Sequence, residues 1–302
     1  MKKIVQYLLD YLKREFHLGI FLLTAFLISG GIYLRYALEW DTYFIGQDYR
    51  PLKGFIFYAV PYLSVFAIIA YYKRDRRFLM KPRFWLASLL ILFVLTANQH
   101  LLIYEPFLTE FHPDLKIFLS KVGYNLFTAL VYLILPLSYF ILLKENKSCY
   151  GFTLKGFDYK PYVIMLILML PLLIWASYQA SFLEVYPRYT PSNAEAYLQV
   201  SSYVTIGCFE ASYILQFIFL ELFFRGFMVM EMEKHVGGLA VLPMVVVYAF
   251  IHFGKPMPET LGSIFGGFIL GVLALKSRSV FGGICIHVGI ALLMELLAYF
   301  QM

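Results

Sequence analysis

Leu220-Glu221-Leu222-Phe223-Phe224-Arg225-Gly226-Phe227 sets a carboxylate and a guanidinium four residues apart inside an otherwise apolar run. An ionised group at membrane depth costs about 2.5 to 3.5 kcal/mol even on the most lenient insertion scale, so a charge in such a run is a candidate for function by default. In helical register Glu221 and Arg225 share a face, and pairing would let both stay charged where either alone would be driven neutral. The spacing admits two readings, a structural ion pair that locks helices together and a working site.

The composition outside this stretch decides the class. Of 302 residues, 61% are hydrophobic, 19% aromatic and only 15% charged, more apolar side chain than a soluble domain of this length can bury. The expected fold is all-α, a polytopic integral membrane protein of about 8–9 transmembrane helices embedded in a lipid bilayer. Apolar runs lie at 18–34, 54–72, 84–104, 122–143, 161–182, 201–224, 238–253, 259–275 and 280–300. Residues 1–16 line one helical face with Ile4, Val5, Leu8, Leu9, Leu12 and Phe16, the pattern of an interfacial helix, and the run after it reads as a retained span. The expected organisation is an N-terminal transmembrane region over 1–200, comprising that helix and about five spans, followed by a core of about four spans over 201–302. The net charge of +6 points to no nucleic-acid partner once the Lys and Arg are located. Seventeen of the 25 fall on the side of the N-terminus, seven on the other side, and Arg225 lies inside a span, which predicts a cytoplasmic N-terminus. Cys149, Cys208 and Cys285 are scattered without metal-type spacing. The loops 37–53, 105–120 and 184–200 read as ordinary surface connections, and His100 reads as interfacial.

From Ser201 onward the polar residues inside apolar runs are few: Glu221 and Arg225, then His252 at the end of Tyr248-Ala249-Phe250-Ile251-His252, then His287 in Gly283-Ile284-Cys285-Ile286-His287. Counting 1.5 Å per residue from the nearest cytoplasmic turns puts Glu221 at about 20 Å, His252 at about 22 Å and His287 at about 14 Å, near enough in depth to share a chamber. Gly262, Gly266, Gly267 and Gly271 would let neighbouring helices approach the wall of that chamber. Glu210 lies about 16 Å from Glu221 along the helix, and Glu295 falls about 12 Å beyond His287 toward the outer surface. Glu259 follows Gly254, Pro256 and Pro258, which break the helix and could let the chain turn back, so Glu259 is a candidate for lining the site, as is Tyr248.

The ordered set Glu221-x-x-x-Arg225-Gly226, Tyr248-x-x-x-His252 and His287 resembles the CPBP superfamily of intramembrane CAAX-type endopeptidases and bacteriocin-processing proteins, over roughly 201–302. The resemblance implies an intramembrane endopeptidase in which a Glu and a His activate a water for attack on a peptide carbonyl while a second His and an Asn hold the oxyanion. Three positions depart from the family pattern. Leu220 stands where the family has the first of two Glu, Tyr248 replaces a Phe, and Ala291 occupies the Asn position.

Carried onto this chain, the resemblance makes Glu221 the general base, Arg225 its holder, and His252 and His287 the groups that position water and oxyanion. His252, His287 and Glu221 also offer the two nitrogens and one oxygen of a catalytic zinc site, although no His-Glu-x-x-His helix signature is present, so the metal question stays open with zinc as the candidate. The implied partner is a hydrophobic peptide or prenylated protein tail, and the implied setting a bacterial plasma membrane. The alternative is a catalytically silent relative, a membrane scaffold or immunity protein. A small transporter would need discontinuous spans in two related halves, and the sequence contains no such repeat.

Overall fold

The computed structural model describes residues 2–39, 50–101, 103–144 and 149–302, which are mostly helical with no strand among them. Residues 40–49 of the loop 37–53 and the side chain of His100 lie outside the described residues. Seven helical segments among the described residues are long and apolar enough to cross a membrane: Leu18–Leu38, Arg50–Lys73, Pro113–Leu142, Lys160–Ser177, Ser202–Phe250, Met257–Ser277 and Phe281–Gln301. The chain is therefore an all-α polytopic membrane protein. Two of the nine expected runs do not stand as separate segments. The run at 84–104 sits on the helix Pro82–His100, whose ends carry Arg83, Asn98 and Gln99. The runs at 201–224 and 238–253 fall in one 49-residue segment, which at 1.5 Å per residue would be roughly 74 Å long if straight, more than twice a bilayer core. Gly237, at φ 62° and ψ −149°, breaks it: an L side chain rarely adopts that backbone, and a short 3₁₀ turn, Gly237–Ala240, follows.

The chain divides into two compact units, both discontinuous in sequence. One comprises 1–101, 135–157 and 222–283, the other 102–134, 158–221 and 284–302. In the first unit the helix Val241–Phe250 is buried at all ten positions. Its sequence, VLPMVVVYAF, is apolar on every face, and a helix without a polar face is stable only when surrounded. It packs against Met257–Ser277, Arg50–Lys73 and Leu18–Leu38. Gly267 and Gly271 allow this: a Cβ at Gly267 would meet the Tyr248 ring at 3.1 Å, and one at Gly271 would meet Met244 at 2.6 Å. Gly262 and Gly266 face open space, so only half of the small-residue stripe serves close packing. The helix Lys2–Glu15 has two working faces. Ile4 and Tyr11 are buried, with the Tyr11 hydroxyl donating to the Gly238 carbonyl at 3.0 Å, while Val5, Leu9, Leu12 and Phe16 stay exposed, as an interfacial helix requires.

In the second unit the segment 184–200 is a packed cap rather than an ordinary surface connection. Tyr186, Tyr189 and Ala194 are buried, and Glu295 on the Phe281–Gln301 helix accepts the Arg188 backbone N–H at 3.0 and 2.9 Å through its two oxygens. Glu295 is consequently buried beneath this segment. Glu195 ties the cap together, accepting from the Tyr189 hydroxyl at 2.8 Å, the Ser192 N–H at 2.7 Å and the Thr205 hydroxyl. Burial pushes its carboxyl up, and these hydrogen bonds outweigh that and hold it below the usual carboxylate range. A group depressed on folding contributes stability above its unfolded pKa, about 4.3 for a glutamate, and loses it as pH falls through the folded value. The cap is therefore expected to become protease-sensitive below about pH 4. Glu195→Gln should be cleaved between 184 and 200 already at neutral pH, with a flatter acid dependence, as limited proteolysis across pH reads directly.

Candidate active site

The helix Ser202–Glu221 carries Phe209, Tyr213, Phe217 and Glu221 at four-residue intervals, so all four line one face. The three rings form a ladder, with centroids 5.4 Å apart from Phe209 to Tyr213 and 4.6 Å from Tyr213 to Phe217. Phe217 then lies 4.3 Å from the imidazole of His287. Glu221 completes the ladder: its Oε1 stands 2.9 Å from His287 Nδ1, with the carboxylate side chain fully buried and the imidazole 16% exposed. The carboxylate can only accept from a neutral imidazole if the proton sits on Nδ1. That leaves Nε2 of His287 as a lone-pair nitrogen, the state a general base needs. The charge of Glu221 would also stabilise the imidazolium that forms when Nε2 takes a proton. Ala291, one turn further along the same helix, is buried.

The remaining candidates belong to the other unit. From Leu222 to Met228 the chain is wound as a π-helix, so the four-residue register that relates Glu221 to Arg225 in an α-helix does not run through this stretch. Arg225 is fully buried, its guanidinium 4.1 Å from the centroid of the Tyr248 ring and 5.9 Å from that of Phe224. An aromatic face is a good counterpart for a desolvated guanidinium, which is weakly hydrated and planar. Gly226 is the neighbour that space demands. A Cβ there would come within 2.7 Å of the Tyr150 carbonyl oxygen.

His252 lies just beyond the helix Val241–Phe250, not on it as expected, in a turn that runs on to Gly254 at φ 92°. Its Nδ1 is 2.7 Å from the Tyr248 carbonyl, an acceptor only, which assigns the proton to Nδ1 and the lone pair to Nε2. The turn is fastened from two directions. Thr260 Oγ1 donates to the His252 carbonyl at 2.9 Å, and the Tyr36 hydroxyl lies 2.7 Å from both Thr260 Oγ1 and the Lys255 carbonyl, donating to one at a time. Glu259 pairs with Lys255. Sequence inspection overlooked Phe217, which the four-residue aromatic spacing could have revealed. It also overlooked Tyr36 and Thr260, for which no local signal exists because Tyr36 contacts residues 219 and 224 positions away.

Among the described residues no group of three or more His, Cys, Asp and Glu side chains is arranged to hold a metal ion. Glu221 and His287 supply two donors, one fewer than the three protein ligands of a catalytic zinc site.

Residues 202–293 match the family model described as type II CAAX prenyl endopeptidase Rce1-like. Over this stretch the chain is similar to that family. The match bears out the resemblance to the CPBP endopeptidases and covers Glu221, Arg225, Tyr248, His252, Glu259 and His287. No curated protein and no solved structure matches the chain. The Rce1-like stretch thus brings with it a family of CAAX-type intramembrane proteases, and the apolar helices make this an integral membrane protein.

Two substitutions test the packing of the buried charge. Tyr248→Leu removes the ring face under Arg225 and should lower the unfolding free energy by about 2 kcal/mol, whereas Tyr248→Phe, which keeps the face, should cost markedly less. Gly226→Ala forces a methyl against a backbone oxygen and should cost about 1 to 3 kcal/mol. Thermal unfolding of the purified variants in one detergent measures both.

Proposed function

We propose that the protein is an intramembrane endopeptidase that hydrolyses a peptide bond of a hydrophobic or prenylated substrate with a water activated by His287 and Glu221. The observation that carries this reading is the hydrogen bond between the fully buried Glu221 carboxylate and His287 Nδ1. His287 Nε2 takes a proton from water as its oxygen attacks the peptide carbonyl carbon. Glu221 keeps the imidazole in that tautomer and stabilises its positive charge. The imidazolium then returns the proton to the amine as the C–N bond breaks. Glu221 thus serves as the orienting carboxylate of a pair rather than as the sole base. The family resemblance assigns His252, through its lone-pair Nε2, and Arg225 to the same reaction. The distribution of Lys and Arg supports an N-terminus in the cytoplasm.

A second reading is a silent relative that holds a hydrophobic peptide without cutting it. Ala291 favours it, since a buried methyl one turn from His287 has no hydrogen to give an oxyanion. The test is cleavage of a hydrophobic peptide library by the purified protein, compared across variants. On the hydrolase reading, His287→Ala and Glu221→Gln each lower the rate by about 10²-fold or more, and His252→Ala does likewise. A protein that binds such peptides with unchanged affinity in all three variants, and never cleaves them, is the scaffold.

A further inference from the structure

Between the helices Val241–Phe250 and Met257–Ser277 the chain makes a tight turn whose hydrogen bonds decide how His252 is held. In an α-helix the His252 N–H would bond the Tyr248 carbonyl, four residues back. Here it bonds the Ala249 carbonyl at 3.0 Å instead, and the N–H groups of Phe253 and Lys255 likewise reach three residues back, to Phe250 and His252, at 3.2 and 3.1 Å. This 3₁₀ winding leaves the Tyr248 carbonyl without its α-helical donor. The His252 imidazole takes that place through Nδ1, at 2.7 Å.

Winding of this kind has poorer hydrogen-bond geometry than an α-helix, so a turn that keeps it needs support from outside. Thr260, which has no exposure to solvent, gives the His252 carbonyl a second donor at 2.9 Å beside the Lys255 N–H. The Tyr36 hydroxyl then stands 2.7 Å from Thr260 Oγ1 and 2.7 Å from the Lys255 carbonyl. Three hydroxyl contacts share two protons: Thr260 directs its own to His252, and Tyr36 serves one of its two acceptors at a time. Because Thr260 is buried, its bond to His252 meets no competition from bulk water.

Tyr36 belongs to the helix Leu18–Leu38, outside the matched stretch 202–293. That helix is pressed against the turn. A Cβ on Gly31 would meet the Phe250 ring at 2.8 Å and the Phe253 ring at 3.3 Å, and the Tyr36 ring lies 6.4 Å from that of Phe253. Phe57, on the helix Arg50–Lys73, closes the group at 5.3 Å from Phe250 and 6.2 Å from Phe253. The hydroxyl of Tyr36 is thereby delivered to the turn by a packed frame.

We propose that Tyr36 and Thr260 are positioning residues for His252: they hold the turn in its tight winding, so that the Tyr248 carbonyl stays with the imidazole and the ring keeps its proton on Nδ1. Nε2 is then the accepting nitrogen, as hydrolysis requires of a histidine that handles water. The inference rests on the reading of His252 as a group of the proposed reaction, and it gives the span Leu18–Leu38 a part in that reaction. Without the Thr260 hydroxyl the winding relaxes toward the α-helical register. The His252 N–H then returns to Tyr248 and displaces the imidazole.

The full chain is purified with isotope-labelled histidine ring nitrogens, and the His252 resonances are assigned by their absence from His252→Ala. The expected result is a wild-type His252 protonated on Nδ1, and loss of that single tautomer in Tyr36→Phe and Thr260→Val. Tyr36→Phe keeps the ring packing and stays readable where Thr260→Val fails to fold. Thr260→Ser, which retains a hydroxyl, restores the wild-type spectrum, and Tyr33→Phe, at an exposed ring on the same helix, leaves it unchanged. With the library peptide that the wild type cleaves fastest, kcat falls about tenfold in Tyr36→Phe and Thr260→Val while KM stays within about twofold, and Thr260→Ser recovers the rate. A wild-type tautomer in both variants, an equal loss in Thr260→Ser, or a wild-type ring protonated on Nε2 overturns the proposal. The spectra need no cleavage. Tautomer loss in a protein that hydrolyses nothing keeps the positioning role and removes the endopeptidase reading, whereas full kcat with unchanged spectra in both variants does the reverse.

Discussion

Desolvation of charge is the constraint from which the C-terminal third follows. Glu221 and Arg225 both have no exposure to solvent, and neither can be left in an apolar interior without compensation. The two are served differently. Glu221 takes a hydrogen bond from an imidazole, a partner that can itself exchange a proton. Arg225 rests on the face of Tyr248, a partner that cannot. The two residues stand four apart in the chain and are stabilised by different kinds of partner.

Each arrangement needs a rigid frame. The wholly apolar helix Val241–Phe250 presents Tyr248 to Arg225 and then stops, so that His252 falls in a turn fixed by Thr260 and Tyr36. In the other unit the aromatic ladder of Ser202–Glu221 carries Phe217 against His287. Buried polar anchors such as Glu295 on Arg188 and Asn125 on Ser212 hold the surrounding helices in register. Locking the side chains that surround reacting groups is what keeps such groups within the small tolerance that catalysis allows.

Much of this was legible in the chain. Hydropathy located the membrane segments, and the motifs built on Glu221, Arg225, His252 and His287 located the Rce1-like stretch. The end of the helix before His252 and the packing of Glu295 beneath the segment 184–200 were not legible. Where a helix stops and what covers a side chain depend on the turns and loops that pack over it. The stripe of four glycines shows the same limit, since two face neighbours closely and two face open space although their spacing is equally helical.

Sequence by itself determined that this chain is helical and membrane-embedded and that it contains an endopeptidase-like set of ionisable residues. The first two are consequences of local composition and periodicity, which every residue expresses with its immediate neighbours, and the last is what the motif resemblance implies. Tertiary structure alone decided that Glu221 meets His287 across 66 positions and that Arg225 meets an aromatic face. It also decided that Tyr36 meets Thr260 across 224 positions. Those pairings depend on which helices come into contact, and that is set by how side chains from distant segments interlock rather than by any pattern within one of them.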